Sequence, residues 1–445
     1  MSGDARRATA ELGAWVAALT WADVPARVQS RLSLVLLDVL GACAAGACTP
    51  EQRALVAAWD PAPGPVPLIG GGRRTGVEAA AWLNGTAMVC LELDEGNKYA
   101  RGHPAAHGFP AVLALAAASD ADGPATAAAL LAAYETAARF GRATTLRAGA
   151  HPHGSWGVAG AAAGCARLLG LDAGGVAAAI DTGAGLPVAG HFASALDGNP
   201  VRDAWMGAAG TSGLAAARMA AAGLARNTGT AAYSLGGLLG GFDAAELTAE
   251  LGTRWDVELG YFKRHASCSF THPAADAVLE LRPALAGRTV EEITVETNGL
   301  SAGLDRTTWD GRLAAMFSIP FVVASALVRG RVDPAAATEP ALHDPEVAEA
   351  ARRVRVERAP DLDARLPAER AVRVTVRTAD GARHVRELPN PVGDVDHRPL
   401  DENALLGLLD ELLGDRGVTA RLHACATRLP DAPAVGALLG ALAEP

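Results

Sequence analysis

Residues 90–111 read CLELDEGNKYARGHPAAHGFPA. Glu92, Asp94, Glu95, Lys98, Tyr99, Arg101, His103 and His107 crowd into this stretch, while the chain on both sides is alanine-rich and apolar. Alanine and leucine favour helices, and the flanking apolar positions recur at helical spacing. The stretch therefore reads as a polar loop delivered between buried helices. A solvated face explains it poorly, because ionisable groups inside apolar surroundings are held by pairing or by chemistry.

Composition widens that reading to the whole chain. Of 445 residues, 50% are hydrophobic but only 4% aromatic, a mixture that favours packed helices over a β-sandwich. The expected class is mainly α. The net charge of -10 argues against a nucleic-acid partner, which would call for a basic face. The N-terminal segment lacks the apolar core of a signal peptide, and charges or glycines interrupt every apolar run of spanning length. The expected location is the cytoplasm, with no membrane partner. Cys43, Cys48, Cys90, Cys165, Cys268 and Cys425 contain no C-x-x-C pair and read as small buried thiols, so no metal site is expected from them. Among 39 basic side chains only Lys98 and Lys263 are lysines. Each stands beside tyrosine and histidine, where a compact ammonium of adjustable pKa has a use.

Along the chain, 8–20 and 24–47 have helical spacing, and Thr75 with Glu78 forms a capping-box pattern for a helix over 77–90. Pro104 and Pro110 punctuate the next stretch, with buried helices over 110–120 and 124–140. His151-Pro152-His153-Gly154-Ser155 precedes a helix of very small residues, which predicts a central helix with close neighbours. The helix dipole near its start should favour neutral His151. Arg202 and Asp203 open another small-residue helix. After about 256 the texture changes. Residues 288–298, 352–359 and 371–388 alternate apolar and polar with many β-branched side chains, and Ala379-Asp380-Gly381 is a hairpin turn. This part reads as a compact α+β unit, and 401–414 returns to amphipathic helix.

Three polar islands stand out: 92–107, 151–155 with 191–203, and 261–272. Together they suit proton abstraction next to a carboxylate. Removing that proton builds charge on the carboxylate oxygens, which fixed cations must face. Lys263 and Arg202 are the cations. A base near neutral pKa must face the carbon and an acid must meet the departing group. His103, His151 and Asp94 are the candidates, and the sequence leaves open which histidine is the base. His103 and His107 are four apart, but Pro104 lies between them and no H-E-x-x-H pattern is present. No G-x-S-x-G elbow points to a serine hydrolase. Lys263→Met is expected to reduce turnover by orders of magnitude with thermal stability near wild type.

Five segments carry a family resemblance: NGTAMVCLELDEGN…GHPAAHGFPAVLALA (84–117), AHPHGSWGVAGAAAGCARLLGL (150–171), VRDAWMGAAGTSGLAAARMAAAGL (201–224), KRHASCSFTHPAADA (263–277) and FSIPFVVASALVRG (317–330). In these, and in GDVDHRPLDENAL (393–405), the chain resembles the MmgE/PrpD family. Its activities include 2-methylcitrate dehydration, cis-aconitate decarboxylation and iminodisuccinate epimerisation. The resemblance implies a large all-helical domain over 1–256, completed by C-terminal helices over 396–445. It also implies a smaller α+β lid domain over 257–395, a cleft between the two, a homodimer, and chemistry with no metal or organic cofactor. It implies a lyase of dehydratase type acting on a small hydroxy- or polycarboxylate, with epimerisation or decarboxylation as alternatives. Asp94, His103, His151 and Lys263 match the family's catalytic positions. Arg202 stands where the family usually has lysine, as a substrate-binding cation. Glu95-Gly96-Asn97 replaces a common D-D-T, and Phe321 stands where some members have tyrosine. Lys98 and Tyr99 are the candidate replacement donors, and His272 of the T-H-P segment is a further substrate-binding candidate.

Overall fold

A computed structural model describes residues 2–444, so that Met1 and Pro445, the outer limits of the expected helical domain, lie outside the described residues. The protein is mainly α with a smaller α+β part. Buried apolar side chains gather into two large clusters. One draws on residues from Ala8 to Phe262 and again from Leu405 to Leu442; the other draws on Ala195 and on residues from Cys268 to Leu388.

The first cluster is built by α1 (Ser2–Ala18), α2 (Ala26–Ala47), α3 (Pro50–Trp59), α4 (Val77–Val89), α5 (Pro104–Ser119), α6 (Gly123–Ala143), α7 (Val158–Leu168), α8 (Ala173–Ala184) and α9 (Val201–Ala221). Helix α2 is long and apolar enough to cross a membrane by length and composition, and most of its apolar stretch is buried inside the protein. Helix α7 is the centre, packed against α5, α6, α8 and α9, with Val158 to Ala166 buried throughout. Its small residues permit this closeness. A Cβ on Gly213 of α9 would stand 2.4 Å from Ala161 Cβ and 2.7 Å from the Ala162 nitrogen of α7. Interiors pack at crystal density and yield little. Gly213→Ala is expected to destabilise the protein by about 1–3 kcal/mol through overpacking. Chemical denaturation would read this as a lower midpoint at constant slope, and an unshifted midpoint would mean the helices can move apart freely.

Two local expectations are corrected. No capping box forms before α4. Thr75 ends a short strand (Arg73–Thr75) paired with Val66–Leu68, which turns its hydroxyl inward to donate to the Ala62 carbonyl at 2.8 Å. Gly76 is the cap residue, and Glu78 pairs with Arg218 instead. Helix α5 begins at Pro104 rather than near 110. Proline is well suited to the first helical position, where its missing N–H has no partner to lose, and Pro110 is carried inside the helix. His107 thereby moves from the expected loop into the first turns of a buried helix.

The second cluster lies between a four-stranded sheet and the helices α10 (His272–Leu285) and α11 (Ile319–Arg329). The strands are β1 (Val290–Thr297), β2 (Val354–Arg358), β3 (Val372–Thr378) and β4 (Arg383–Leu388), in the order β4-β3-β1-β2. Only the β1–β2 pair is parallel. Ile293, Val295, Val372, Val374 and Val376 face the core, as the alternation in the sequence predicts. Helices α12 (Glu402–Leu413) and α13 (Arg416–Arg428) return to α2 and the first cluster.

Candidate active site

The loop that follows α4 is fixed to the chain just before Lys263. Gly96 and Asn97 pair antiparallel with Tyr261 and Gly260. A Cβ at Gly96 would lie 2.3 Å from the Tyr261 hydroxyl oxygen, so any other residue here would have to displace the Tyr261 ring. Asn97 closes the loop from inside. Its Nδ2 donates to the Asp256 carbonyl at 2.9 Å, and its Oδ1 accepts from the Tyr99 and Ala100 amides, each at 3.0 Å. This short ladder brings two distant polar islands together. Lys263 Nζ lies 3.2 Å from Glu92 Oε2 and 3.4 Å from Asp94 Oδ1.

His103 caps α5, with Nδ1 2.6 Å from the Glu95 carbonyl oxygen and 3.0 Å from Asp94 Oδ2. Both neighbours are acceptors, so Nδ1 carries a proton in either charge state and Nε2 remains the titrating nitrogen. Burial opposes protonation of the ring, but Asp94 overrides it and raises the His103 pKa. Burial likewise pushes the Asp94 carboxyl up, and His103 with Lys263 more than offsets this, holding it below the usual carboxylate range. The pair is an oriented imidazole with an ionised carboxylate behind it.

The other histidines have different roles. His151 Nδ1 accepts the His153 amide at 3.1 Å, which leaves the neutral ring's proton on Nε2. Burial first, then the charge of His103 and His107, pushes its pKa down to about 3. His151 is neutral as expected, but the cause is burial; α7 begins only at Val158, too far away for its dipole to act. His107 donates from Nδ1 to the His103 carbonyl at 2.8 Å and accepts the Gly154 amide on Nε2 at 3.1 Å. Both its nitrogens are used inside the protein, and burial lowers its pKa to about 4. His153 Nε2 lies 3.4 Å from Arg202 Nη2, and its Nδ1 has no partner. Burial and the neighbouring His151 keep it neutral. Glu95 accepts from Tyr134 at 2.7 Å and from the Ala105 amide at 3.2 Å; burial raises it to about 7.

Arg202, at the start of α9, is fully buried. It donates from Nη1 to the Val89 carbonyl at the end of α4 at 2.9 Å and to Asp203 Oδ1 at 2.7 Å. Its Nη2 pairs with Glu92 Oε1, and its Nε has no partner. Lys263 and Arg202 thus face acids of the protein itself. Glu92 bridges them in a left-handed backbone conformation, φ 54°.

These groups form one end of a cavity of about 280 Å³. Glu92, His103, His151, His153 and Arg202 line it from the helical side, and Tyr261, Phe270, Phe317, Leu366 and Arg370 from the sheet-bearing side. Arg370 is buried over the Tyr261 ring, its guanidinium carbon 4.0 Å from the centroid. Its Nη2 lies 3.2 Å from Asp394 Oδ2, and its Nε is unpartnered. Three buried nitrogens without acceptors, Arg202 Nε, His153 Nδ1 and Arg370 Nε, therefore belong to residues lining one cavity. Unpartnered buried arginine nitrogens also occur away from this cavity, at Arg31, Arg139 and Arg254.

Of the sequence candidates, His103, His151, Arg202 and Lys98 line this cavity. Asp94 and Lys263 stand directly behind it, and Lys263 lines a second cavity on their far side. Lys98 is committed to the Ala368 carbonyl, Asp394 and Asp396 at 2.8, 3.0 and 2.6 Å. Tyr99 is half-buried outside the cavity lining, with the Arg142 guanidinium 4.7 Å from its ring. His272 lies at the start of α10, its Nε2 3.0 Å from the Ser267 carbonyl, also outside the lining. Sequence reasoning passed over Glu92, His153 and Arg370 as site residues. Glu92 and His153 stood in the polar islands already marked, whereas nothing in the sequence sets Arg370 apart from the other arginines.

Residues 10–242 match the model of the MmgE/PrpD N-terminal domain, and residues 265–417 that of the MmgE/PrpD C-terminal domain. A cis-aconitate decarboxylase of Aspergillus terreus is 26% identical over 426 residues, covering 88% of this chain and 86% of that protein. The cis-aconitate decarboxylase-like protein oryM of Aspergillus oryzae is 31% identical over 297 residues, 62% of this chain and 61% of its own.

Proposed function

The chain belongs to the MmgE/PrpD family, and from that premise we propose that it is a dehydratase-type lyase acting on a small hydroxy-polycarboxylate, using its own side chains for the proton transfers. The observation that carries this reading is an Asp94-backed His103 at a cavity that His151, His153, Arg202 and Arg370 also line. Carboxylate oxygens are the acceptors that such guanidinium and imidazole groups take. With carboxylates held by Arg202, Arg370 and His153, His103 Nε2 removes the proton beside one of them. The C–H electron pair becomes the new double bond as the β-carbon–oxygen bond breaks. Neutral His151 donates a hydrogen bond from Nε2 to an oxygen that gains charge, which lowers the barrier. His103 then gives the captured proton to the departing hydroxyl, which leaves as water. One imidazole serves both transfers, so the elimination is syn.

Decarboxylation of an unsaturated polycarboxylate is the second reading, favoured by the names of both relatives. There the C–CO₂ bond supplies the electron pair, and protonated His103 delivers the proton to carbon. In both readings the sheet-bearing part acts as a lid, supported by its contribution of Phe270, Phe317, Leu366 and Arg370 to the cavity.

The test is a panel of hydroxy- and unsaturated polycarboxylates incubated with the enzyme in D₂O and followed by NMR. Loss of water with formation of a double bond supports the first reading. Released carbon dioxide, with deuterium at the vacated carbon, replaces it with the second. Deuterium at the α-carbon without either product would replace both with epimerisation.

A further inference from the structure

The sheet-bearing side of the cavity supplies Arg370 to the chemistry above, and with it an apolar surface that the chemistry does not use. Opposite the histidines and Arg202, an apolar surface begins at Phe317, whose ring centroid lies 5.7 Å from the Arg202 guanidinium carbon and 5.8 Å from the ring of Phe192. Phe270, Leu366 and Pro367 line the cavity with it. Leu300, also a lining residue, is 61% exposed. A single exposed leucine needs no explanation. One that shares a cavity with Phe270, Phe317, Leu366 and Pro367 belongs to a surface running from the charged floor to solvent.

A substrate made only of carboxylates and hydroxyls fits this wall badly. Each oxygen turned toward the rings loses water and gains no donor. An alkyl group gains from the same contact, by about fourfold in affinity for each methylene buried. A lone methyl is too small to touch Phe317, Phe270, Leu366 and Leu300 together. Resting on the reading of the site as a polycarboxylate lyase, we infer that the substrate carries an alkyl chain of several carbons. Its carboxylates lie on the floor of histidines and arginines. Its chain runs outward over Phe317, Phe270, Leu366 and Pro367 toward Leu300.

The experiment measures calorimetric affinities for 2-hydroxy-polycarboxylates that differ only in a hydrogen, methyl, propyl or pentyl substituent. Wild type is compared with Leu300→Asn and Phe270→Asn. Leu300 is largely exposed, so its replacement leaves the fold intact even if Phe270→Asn does not fold. The expected result is a gain of more than tenfold from hydrogen to propyl in wild type, with the further gain from propyl to pentyl lost in Leu300→Asn. Affinity that is flat or falls with chain length, absence of binding by every member, or an unchanged pentyl gain in Leu300→Asn overturns the inference. Turnover of the same compounds separates the two levels. Elimination of the unsubstituted compound with a flat affinity series leaves the lyase reading standing and removes the alkyl chain. A rising series without turnover supports the alkyl chain and removes the reaction.

Discussion

In His103→Gln, turnover of the substrate identified by NMR falls by about two to four orders of magnitude, the range for removal of a positioned general base, while binding of carboxylates is largely kept. Arg202, Arg370 and His153 are untouched by the change. Glutamine can still donate toward the Glu95 carbonyl, but it has no nitrogen lone pair to take a proton. The pH profile adds a test that a structural role would not pass. Catalysis needs neutral Nε2, so the rate of the wild type rises with pH through the His103 pKa, which Asp94 has raised. Asp94→Asn removes that support, and the inflection moves to lower pH as the plateau falls. The stability sign is the opposite one. A histidine whose folded pKa is raised contributes stability that is fully present below its unfolded value near 6.5 and is lost as pH rises through the folded value. His103→Gln should erase that part of the pH dependence of stability. If His103→Gln keeps wild-type turnover, or the inflection of Asp94→Asn does not move, His103 is not the base.

The sequence separated the two candidate histidines only as far as naming them. Their roles diverge through backbone contacts that no spacing reveals. The Glu95 carbonyl meets His103 on Nδ1 and fixes a proton there, whereas the His153 amide meets His151 on Nδ1 and excludes one. The helix dipole was the wrong cause for neutral His151, because the glycine-rich turn at Gly154 and Gly157 delays α7 to Val158. The central place of α7 was legible, since its small residues admit few other arrangements. So were the strands of the second core, where β-branched alternation is strong. Arg370 was not legible, because its value comes from two partners far along the chain, Tyr261 beneath it and Asp394 beside it. Lys98 shows the converse. Its rarity singled it out, and the geometry commits its three donors to Ala368, Asp394 and Asp396. This ties the loop that follows α4 to the segment that leads back into the helical body. Phe321, read as the site of a missing hydroxyl, packs on Trp309 in the second core, and Phe317 faces the cavity.

Lys263→Met loses stability as well as turnover, against the expectation drawn from sequence that its stability would stay near wild type. The Lys263 side chain has no exposed surface, and its ammonium lies between Glu92 and Asp94. Methionine fills similar volume but leaves those carboxylates short of a cation, and removing one partner of a buried pair costs about 3–5 kcal/mol. Arg202 still pairs with Glu92 and His103 with Asp94, so the loss is partial and the fold survives for assay. Its pH dependence follows from Asp94. A carboxylate whose folded pKa is lowered contributes stability that is present above its unfolded value near 3.9 and is lost as pH falls through the folded value. Without Lys263 the Asp94 pKa rises, and the carboxylate is protonated at higher pH. The gap in melting temperature between wild type and Lys263→Met should therefore be wide at pH 7.5 and narrower at an acidic pH below the raised Asp94 pKa of the variant. Turnover falls because the charge of Lys263 also holds the His103 pKa down, and without it less of the ring is the neutral base at a given pH. A variant that loses turnover while its melting temperature matches wild type at both pH values would show that the charge of Lys263 acts on the substrate and not on Glu92 and Asp94.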